Sequence, residues 1–318
     1  MKKYILIILL AGLVAGGAVF AFQKFNAVED ANEDSNSDNV TIETEDVDDA
    51  ETPKVPGFGG AVSDEKDDEG DKDIEKDVAE ESDLPLAFVS IHVEPNSPSG
   101  VKELAADVEA FVDLADNYDI DLTIMLGANW PEYYSQDEMH LQVIESWVNF
   151  GHEIAMHHHG LSHAAWDGYS NSPMAKNRKD YRGTMDDLMA TYDALGVDII
   201  TGSGTDEDTD WPSGVPYAAD GFEPGSSEYA ISEPSLVSFN GHDVWLVKKR
   251  GYATDKPVDE TLDFIIESIS EAVESGEIVG VNTSYTHIGE NMDEWEKMFE
   301  VLSEATEVKT VRVLLGDL

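Results

Sequence analysis

The sequence predicts an α/β fold in which parallel strands alternate with helices and close into a barrel. From residue 84 onward, short apolar runs alternate with amphipathic segments, and about seven or eight strand signals fall within 235 residues. Such alternation is typical of parallel strands joined by helical crossovers, and this number of strands suits a closed or nearly closed barrel. An open doubly wound sheet is the alternative arrangement.

The first half of this region alternates regularly between apolar runs and segments with helical spacing. Apolar runs predict strands, and the segments after them repeat apolar residues at the spacing of a helix that is buried on one side. Gly196 follows the third helix and predicts its end. The predicted strands are 86–93, 122–126, 153–156 and 197–201, and the predicted helices are 101–118, 137–150 and 180–195.

The second half carries clear turn and helix-end signals. Asn240-Gly241 is a strong signal for a hairpin turn between two short strands. The next helix begins with a proline and is followed by a glycine, which are the residues that favour a helix start and a helix end. The predicted strands are 236–239, 244–248, 278–285 and 308–315, and the predicted helices are 257–275 and 292–305.

Residues 1–23 are predicted to form a transmembrane helix that anchors the chain. Two lysines precede an uncharged run, 4–22, whose nineteen residues approach the roughly 20 needed to cross a bilayer as a helix. These lysines, with the acidic excess that follows the run, predict a single-pass protein of the cell membrane with its C-terminal domain outside the cytoplasm. A cleaved signal peptide, and hence secretion, is the alternative.

Residues 24–83 are predicted to be a disordered acidic linker, which leaves residues 84–318 as the barrel domain. The linker is rich in Asp, Glu, Asn and Ser and poor in large apolar residues. It would therefore bury too little apolar surface to offset the entropy lost on ordering.

The chain has a formal net charge of -48 and contains no cysteine. Without cysteine, a disulfide framework, a thiolate metal site and a cysteine nucleophile are excluded. Because such a negative surface repels nucleic acid, no nucleic-acid partner is expected. A salt-loving source organism is predicted, because salt screens the self-repulsion of such an acidic domain.

Five of the nine histidines fall within the thirteen residues 151–163. This segment starts with an apolar run that suits the end of a buried strand, and it breaks at Gly160 into a loop. Imidazoles crowded at such a point are costly unless something binds them, and a metal ion is the usual partner. The segment therefore predicts a metal site, with a solvated surface loop as the alternative.

Polar side chains also gather at the predicted ends of other strands. Ser90, His92 and Glu94 share one face of the first strand, because side chains alternate along a strand. A late strand runs into a segment that ends at His287. The carboxyl ends of the strands meet at one face of a parallel barrel, so these residues are expected near the histidine loop.

Three segments carry a resemblance to a known family. They are Ser90-Ile91-His92-Val93-Glu94, then Gly151-His152-Glu153-Ile154 followed by His157, and 278–287. In order and spacing they resemble three motifs of the polysaccharide deacetylase-like proteins, the NodB-homology carbohydrate esterases. The resemblance covers residues 86–318 and implies a distorted (β/α)7 barrel.

The resemblance implies a metal-dependent deacetylase that acts on an N-acetylated surface glycan. It also implies a divalent ion, with zinc expected, and a set of site residues. The implied residues are Glu94, His157 and His163 for the metal, His92 and His287 for catalysis, and Asp210 and Trp211, which resemble an Asp-Trp pair of the family, for substrate binding. Trp130, like Trp211, follows a predicted strand, and both are predicted to stack on sugar rings, with a place in the core as the alternative.

The family's two histidines lie four residues apart, but position 161 here is a leucine. The ligand pair is therefore either His157 and His163, across a two-residue insertion, or His159 and His163, which keep the spacing. The first pair is preferred and His159 is held as the alternative.

His92 stands where the family has an aspartate that acts as general base. A histidine there could take a proton near neutral pH, bind the metal, or mark a lost activity. In the last case the chain is a non-catalytic relative that binds glycan or metal, which is the alternative to the enzyme. A metal-dependent amidase outside carbohydrate chemistry is a third hypothesis.

Overall fold

The computed structural model describes residues 84–94, 97–204, 209–221, 229–239, 241–251, 262–284, 288–289, 291–316 and 318. The predicted anchor and the predicted linker lie outside these residues. Within them, no helix is both long enough and apolar enough to cross a bilayer.

Seven parallel strands close into a barrel. The strands of the described part of the chain are β1 Leu86–Val93, β2 Leu122–Leu126, β3 Glu153–His157, β4 Thr201–Ser203, β5 Tyr217–Gly221, β6 Ile231–Ser232, β7 Ser235–Phe239, β8 His242–Gly251, β9 Ile278–Ser284 and β10 Glu307–Val308. The barrel order is β1, β2, β3, β4, β5, β8 and β9, with every neighbouring pair parallel.

The pairing of β9 with β1 closes this barrel. Its register runs from Ala87 opposite Val279 to His92 opposite Ser284. The predicted closed α/β barrel is thereby confirmed, and the open sheet is excluded. The hairpin predicted around Asn240-Gly241 is present as β7 and β8, which pair antiparallel.

Helices cover the outside and one end of the barrel. In the described residues they are α1 Pro98–Asp116, α2 Asn129–Tyr134, α3 Glu138–Phe150, α4 Met185–Asp193, α5 Leu262–Ser275, α6 Met292–Ala305 and α7 Val311–Leu315. The Asp137 side chain caps α3 by accepting from the His140 N–H, and α3 ends at Gly151, whose φ is +109°. Thr184 and Asp187 form a capping box at α4.

The barrel interior changes from apolar to polar along its axis. A cluster of buried apolar residues fills the end where the strands begin: Phe88, Met125, Ala155, Ala219, Val247, Ile278, Val311 and Leu315. Side chains alternate along a strand, so the following inward positions are Ser90 and then His92 on β1, His157 on β3 and Lys249 on β8. The carboxyl ends of the strands therefore carry the polar side chains, as the sequence predicts.

The prediction of a final strand over 308–315 is wrong. The Thr310 side chain accepts from the Val313 N–H and begins α7 in the middle of this segment. Val311 and Leu315 pack into the interior cluster, and the Arg312 N–H donates to Glu153 at 3.0 Å. This helix closes the amino-terminal end of the barrel, and its packing outweighs the strand propensity of its residues.

The sequence prediction also misses β5 and α2 and places β4 too early. β5 contains two alanines and no β-branched residue, and its strand conformation depends on pairing with β4 and β8. β4 begins at Thr201 rather than at 197, because its ladder with β3 reaches only Gly202 and Ser203.

Candidate metal centre at the carboxyl ends of the strands

Glu94, His157 and His159 bring three possible ligand atoms together. Glu94 directly follows β1, and His157 is the last residue of β3. Oε1 of Glu94 lies 2.6 Å from Nε2 of His157 and 3.1 Å from Nε2 of His159. The two Nε2 atoms are themselves 3.1 Å apart, so the three atoms form a compact triangle.

This triangle fits a divalent cation. If both Nε2 atoms carried protons, the two N–H groups would point at the same oxygen and at each other, which is a crowded arrangement. Two imidazole lone pairs and a carboxylate oxygen, in contrast, are a common ligand set for zinc. Ligand atoms about 2.1 Å from a tetrahedral ion lie roughly 3.4 Å apart, so these atoms need to separate by less than about 1 Å.

The protonation states of these residues also favour a cation. Burial alone would raise the pKa of Glu94, but hydrogen bonds to His157 and His159 outweigh it and hold the pKa well below its usual range. Burial lowers the pKa of His157. A carboxylate and a neutral imidazole are the forms that bind a metal ion.

His92 lies next to this triangle and beside a buried lysine. Its Nε2 atom is 2.5 Å from Nζ of Lys249 and 3.2 Å from Oγ of Ser203. Burial lowers the pKa of His92 well below its usual value, and the charge of Lys249 lowers it further. The ring centroid lies 4.2 Å from that of His157, and His92, Glu94 and His157 form a second grouping whose ligand atoms lie within 4.8 Å.

Lys249 is the site residue that the sequence prediction misses. Its side chain is only 2% exposed, and burial lowers its pKa to about 7. In the sequence it stands in Lys248-Lys249-Arg250, which is typical of a solvated strand end. Strand alternation from the buried Val247 is the one signal that places Lys249 inside the barrel.

His163, which belongs to both predicted ligand pairs, lies outside the triangle. It is exposed, its Nδ1 atom accepts from the Ala165 N–H at 3.1 Å, and its ring stacks on His159. The structure thus brings His157 and His159 together with Glu94, and this pair of histidines differs from both predicted pairs.

The other two histidines of the loop have structural partners. Nδ1 of His152 accepts from the Leu122 N–H at 2.9 Å, and its Nε2 lies 3.0 Å from Asp116. His158 and Asp167 are both buried and make a contact of 2.8 Å. These contacts fix the two ends of the segment that carries His157.

Two further contacts hold the loop in place. Arg178 donates to the Leu161 carbonyl at 2.7 Å and lies 4.2 Å above the ring of Trp166. Gly204 has a φ of +115°, and a Cβ atom there would lie 1.5 Å from the carbonyl oxygen of His158. Only glycine allows this approach, which supports the turn from His157 to His159.

The predicted substrate-binding residues lie within the packed structure. Trp130 and Trp211 are 0% and 2% exposed, and Nε1 of Trp211 donates to the Val215 carbonyl at 2.7 Å. Asp210 accepts from the Ser170 hydroxyl and from the Asn171 N–H, so it fastens a loop. Neither tryptophan presents a ring face to solvent. Their stacking on sugars therefore stays a prediction that this packing does not favour.

His287, the predicted catalytic acid, lies outside the described residues. β9, which leads toward it, ends at Ser284 opposite His92 of β1. Its role remains a prediction.

No protein-family model matches the chain, and no curated protein matches it. Among solved structures, the chain is similar to a protein from Mycobacterium smegmatis described as a polysaccharide deacetylase. The two are 11% identical, the match covers 76% of this chain and 92% of the other, and the TM-score is 0.47.

Two more solved structures are similar. One is the catalytic domain of a peptidoglycan N-acetylglucosamine deacetylase from Eubacterium rectale, with 10% identity, coverage of 71% and 88%, and a TM-score of 0.37. The other is a 4-alpha-glucanotransferase from Thermococcus litoralis, with 14% identity, coverage of 73% of this chain and 38% of that one, and a TM-score of 0.48. Similarities of this size say nothing about a shared reaction. What the described part of this chain itself shows is a barrel of seven parallel strands, closed by the β9–β1 pairing.

Proposed function

We propose that this chain is a metal-dependent hydrolase that removes acetyl groups from an N-acetylated surface glycan. The observation that carries the proposal is the triangle of Glu94, His157 and His159 at the carboxyl ends of β1 and β3. Active sites of parallel α/β barrels lie at this end. The glycan is proposed from the resemblance of the three sequence motifs.

The residues of the triangle would hold a divalent cation, with zinc expected. When bound, such an ion polarises an amide carbonyl and makes water a better nucleophile at neutral pH. Glu94 contributes the negative charge of the ligand set, and its low pKa keeps that charge in place. His157 is buried and Glu94 is partly buried, so their contacts with an ion are weakly screened by solvent.

The remaining groups of the site act on protons and on charge. His92 is on β1, which β2 separates from β3 in the barrel wall. Its ring lies against the ring of His157, so it is within reach of a substrate at the triangle. His287 is proposed to protonate the leaving amine. We further propose that residues 1–23 anchor the enzyme, so that the barrel domain meets glycan outside the cytoplasm.

Acetate release from an acetylated chito-oligosaccharide tests this function. The full chain is assayed in high salt after treatment with EDTA, and again after zinc is restored. We expect acetate release only with the metal, and we expect His157→Ala to lose both bound metal and activity. His242→Ala, a histidine of the β7–β8 hairpin, is the matched control and keeps both.

Two outcomes would contradict the proposal in different ways. If the chain binds zinc through His157 but releases no acetate, it is the non-catalytic relative rather than the enzyme. If His157→Ala keeps its full metal content, the ligand assignment is wrong.

A further inference from the structure

We propose that His92 is a fourth protein ligand of the ion held by Glu94, His157 and His159, and that it occupies the coordination position that a hydrolase needs for water. The inference rests on the metal centre of the proposed function and adds a ligand to that centre. It also gives a role to the histidine that stands where the family has an aspartate.

The fold places His92 beside the triangle. Glu94 follows His92 by two residues at the end of β1, so the two side chains project from the same face of the chain. Nδ1 of His92 lies 4.0 Å from Oε1 of Glu94, the oxygen that contacts Nε2 of both His157 and His159. One potential ligand atom from each of His92, Glu94 and His157 lies within 4.8 Å of the others. Three imidazoles thus gather around one carboxylate oxygen.

The distances allow His92 to join the ligand set. Ligand atoms of a tetrahedral ion lie roughly 3.4 Å apart when each bond is about 2.1 Å long. The contacts within the triangle are shorter than this separation, at 2.6, 3.1 and 3.1 Å, whereas Nδ1 of His92 is farther from Oε1 of Glu94, at 4.0 Å. Shifts no larger than those that open the triangle for an ion therefore bring Nδ1 to the tetrahedral separation from this oxygen.

The far side of the His92 ring is already held. A histidine that binds a metal through one nitrogen usually donates the N–H of the other to a neighbour, which fixes the orientation of the ring. Nε2 of His92 is 3.2 Å from Oγ of Ser203, a buried hydroxyl with lone pairs that can accept this hydrogen bond. Nζ of Lys249 is 2.5 Å from the same nitrogen, and an uncharged amine there can accept as well. The ring is therefore supported from β4 and β8, and Nδ1 is left toward the triangle.

A fourth protein ligand changes what the metal ion can do. Zinc with four protein ligands is typical of closed structural sites, whereas catalytic zinc has three and keeps one position open. One carboxylate and three imidazoles would fill the four positions, so the ion in the resting chain would be closed to water. In the proposed deacetylase, His92 would have to leave the ion, or the ion would have to accept a fifth ligand, before the substrate reacts. Histidine in place of aspartate would thus close the site rather than substitute one base for another.

NMR of the cadmium-loaded chain counts these ligands directly. The full chain is labelled with ¹⁵N-histidine, treated with EDTA and loaded with one equivalent of ¹¹³Cd in place of zinc. Only a nitrogen bonded to cadmium shows a ¹¹³Cd–¹⁵N coupling, so the 67 acidic side chains of the sequence do not interfere. We expect coupling at Nε2 of His157, at Nε2 of His159 and at Nδ1 of His92. Coupling at two nitrogens, with none on His92, would overturn the proposal.

Three variants identify the third histidine. His92→Ala should lose one coupled nitrogen and keep the other two, whereas retention of all three would overturn the proposal. His163→Ala and His287→Ala are the controls and should keep all three. If either control loses the third coupling, that histidine is the ligand and the proposal fails. If His92→Ala does not fold, the coupling at an Nδ1 atom of the wild type and the two controls still decide.

The couplings need no enzymatic activity, so this inference and the proposed function fail separately. A chain with three coupled histidines that releases no acetate keeps the inference and loses the function. A chain that releases acetate while only His157 and His159 are coupled keeps the function and loses the inference.

Discussion

The imidazole rings of His159 and His163 are stacked, with centroids 3.9 Å apart and planes inclined by 6°. Only His159 reaches the triangle with Glu94 and His157, and His163 supports it from the solvent side. The two stacked histidines therefore have different roles, one as a proposed ligand and one as its support. Measurements of metal affinity can distinguish them.

Replacing His159 is expected to weaken zinc binding more than replacing His163. His159→Ala removes a ligand and should raise the dissociation constant more than about 100-fold. His163→Ala removes a supporting contact, which typically costs about 10-fold. Calorimetric titration of zinc into the EDTA-treated chain measures both. The reverse order would return the ligand role to His163.

Lys249 is expected to make stability rise with pH above neutrality. Its pKa falls from 10.5 in the unfolded chain to about 7 in the fold, where burial disfavours the charge. Between these values the unfolded state binds more protons, so stability increases as pH rises and is lost as pH falls toward 7. The contribution is about 1.4 kcal/mol per pH unit. Urea unfolding at several pH values compares wild type with Lys249→Met.

The difference between these two stability curves isolates the lysine. Lys248→Met removes a neighbouring lysine from the same strand without touching the barrel interior, and it serves as control. A constant difference between wild type and Lys249→Met across this pH range would contradict the buried, perturbed lysine.

Gly204→Ala is expected to disturb the histidine loop strongly. The new Cβ atom would lie 1.5 Å from the carbonyl oxygen of His158, so the backbone must move. Gly214→Ala is the matched control, because φ there is also positive, at +92°, but nothing lies within 4 Å of the added atom. Strain at φ alone costs about 1–2 kcal/mol. Denaturant unfolding should show at least about 2 kcal/mol more loss for Gly204→Ala, and equal losses would count against the close contact.

High salt is expected to stabilise the chain, because its formal net charge is -48. The midpoint of urea unfolding should rise as sodium chloride increases from about 0.1 to 1 M, where the Debye length falls from about 10 Å to about 3 Å. The screening of the surface charges is nearly complete at the higher salt concentration. A midpoint that does not change with salt would remove the basis for a salt-loving source.

His92→Asp is expected to raise the rate of acetate release by about 10-fold or more. The carboxylate would restore a general base, and the ammonium of Lys249 beside it would keep it ionised. His92→Asn has the same shape without the charge and is the control. A rate that falls equally in both variants would show that a carboxylate at position 92 does not act as a general base in this site.

Much of the barrel could be predicted because its strands and helices carry regular periods. β1 and β2 match their predicted bounds, and α6 does as well, since the spacing of their apolar residues is regular. β5 and α7 could not be predicted, because neighbours in space set their conformations. In β5 these neighbours are the paired strands, and in α7 the buried end of the barrel.

The site was predictable to the same extent. Glu94 and His157 stand at strand ends that the sequence shows directly. Which two of His157, His159 and His163 meet depends on how the loop turns, and Gly204 and Arg178 determine this turn from distant positions. Lys249 could not be paired with His92 from the sequence, since 157 residues separate the two.

The closed barrel has a consequence for the order in which the site can assemble during folding. Glu94 and His159 are 65 residues apart and belong to the β1–β3 region, whereas the Ser90–Asn282 hydrogen bond between β1 and β9 spans 192 residues. Longer loops lose more entropy on closure, and contacts between distant residues slow folding. The three proposed metal ligands can thus meet once β1 to β3 have formed, while Lys249 reaches His92 only when the far half of the chain completes the wall.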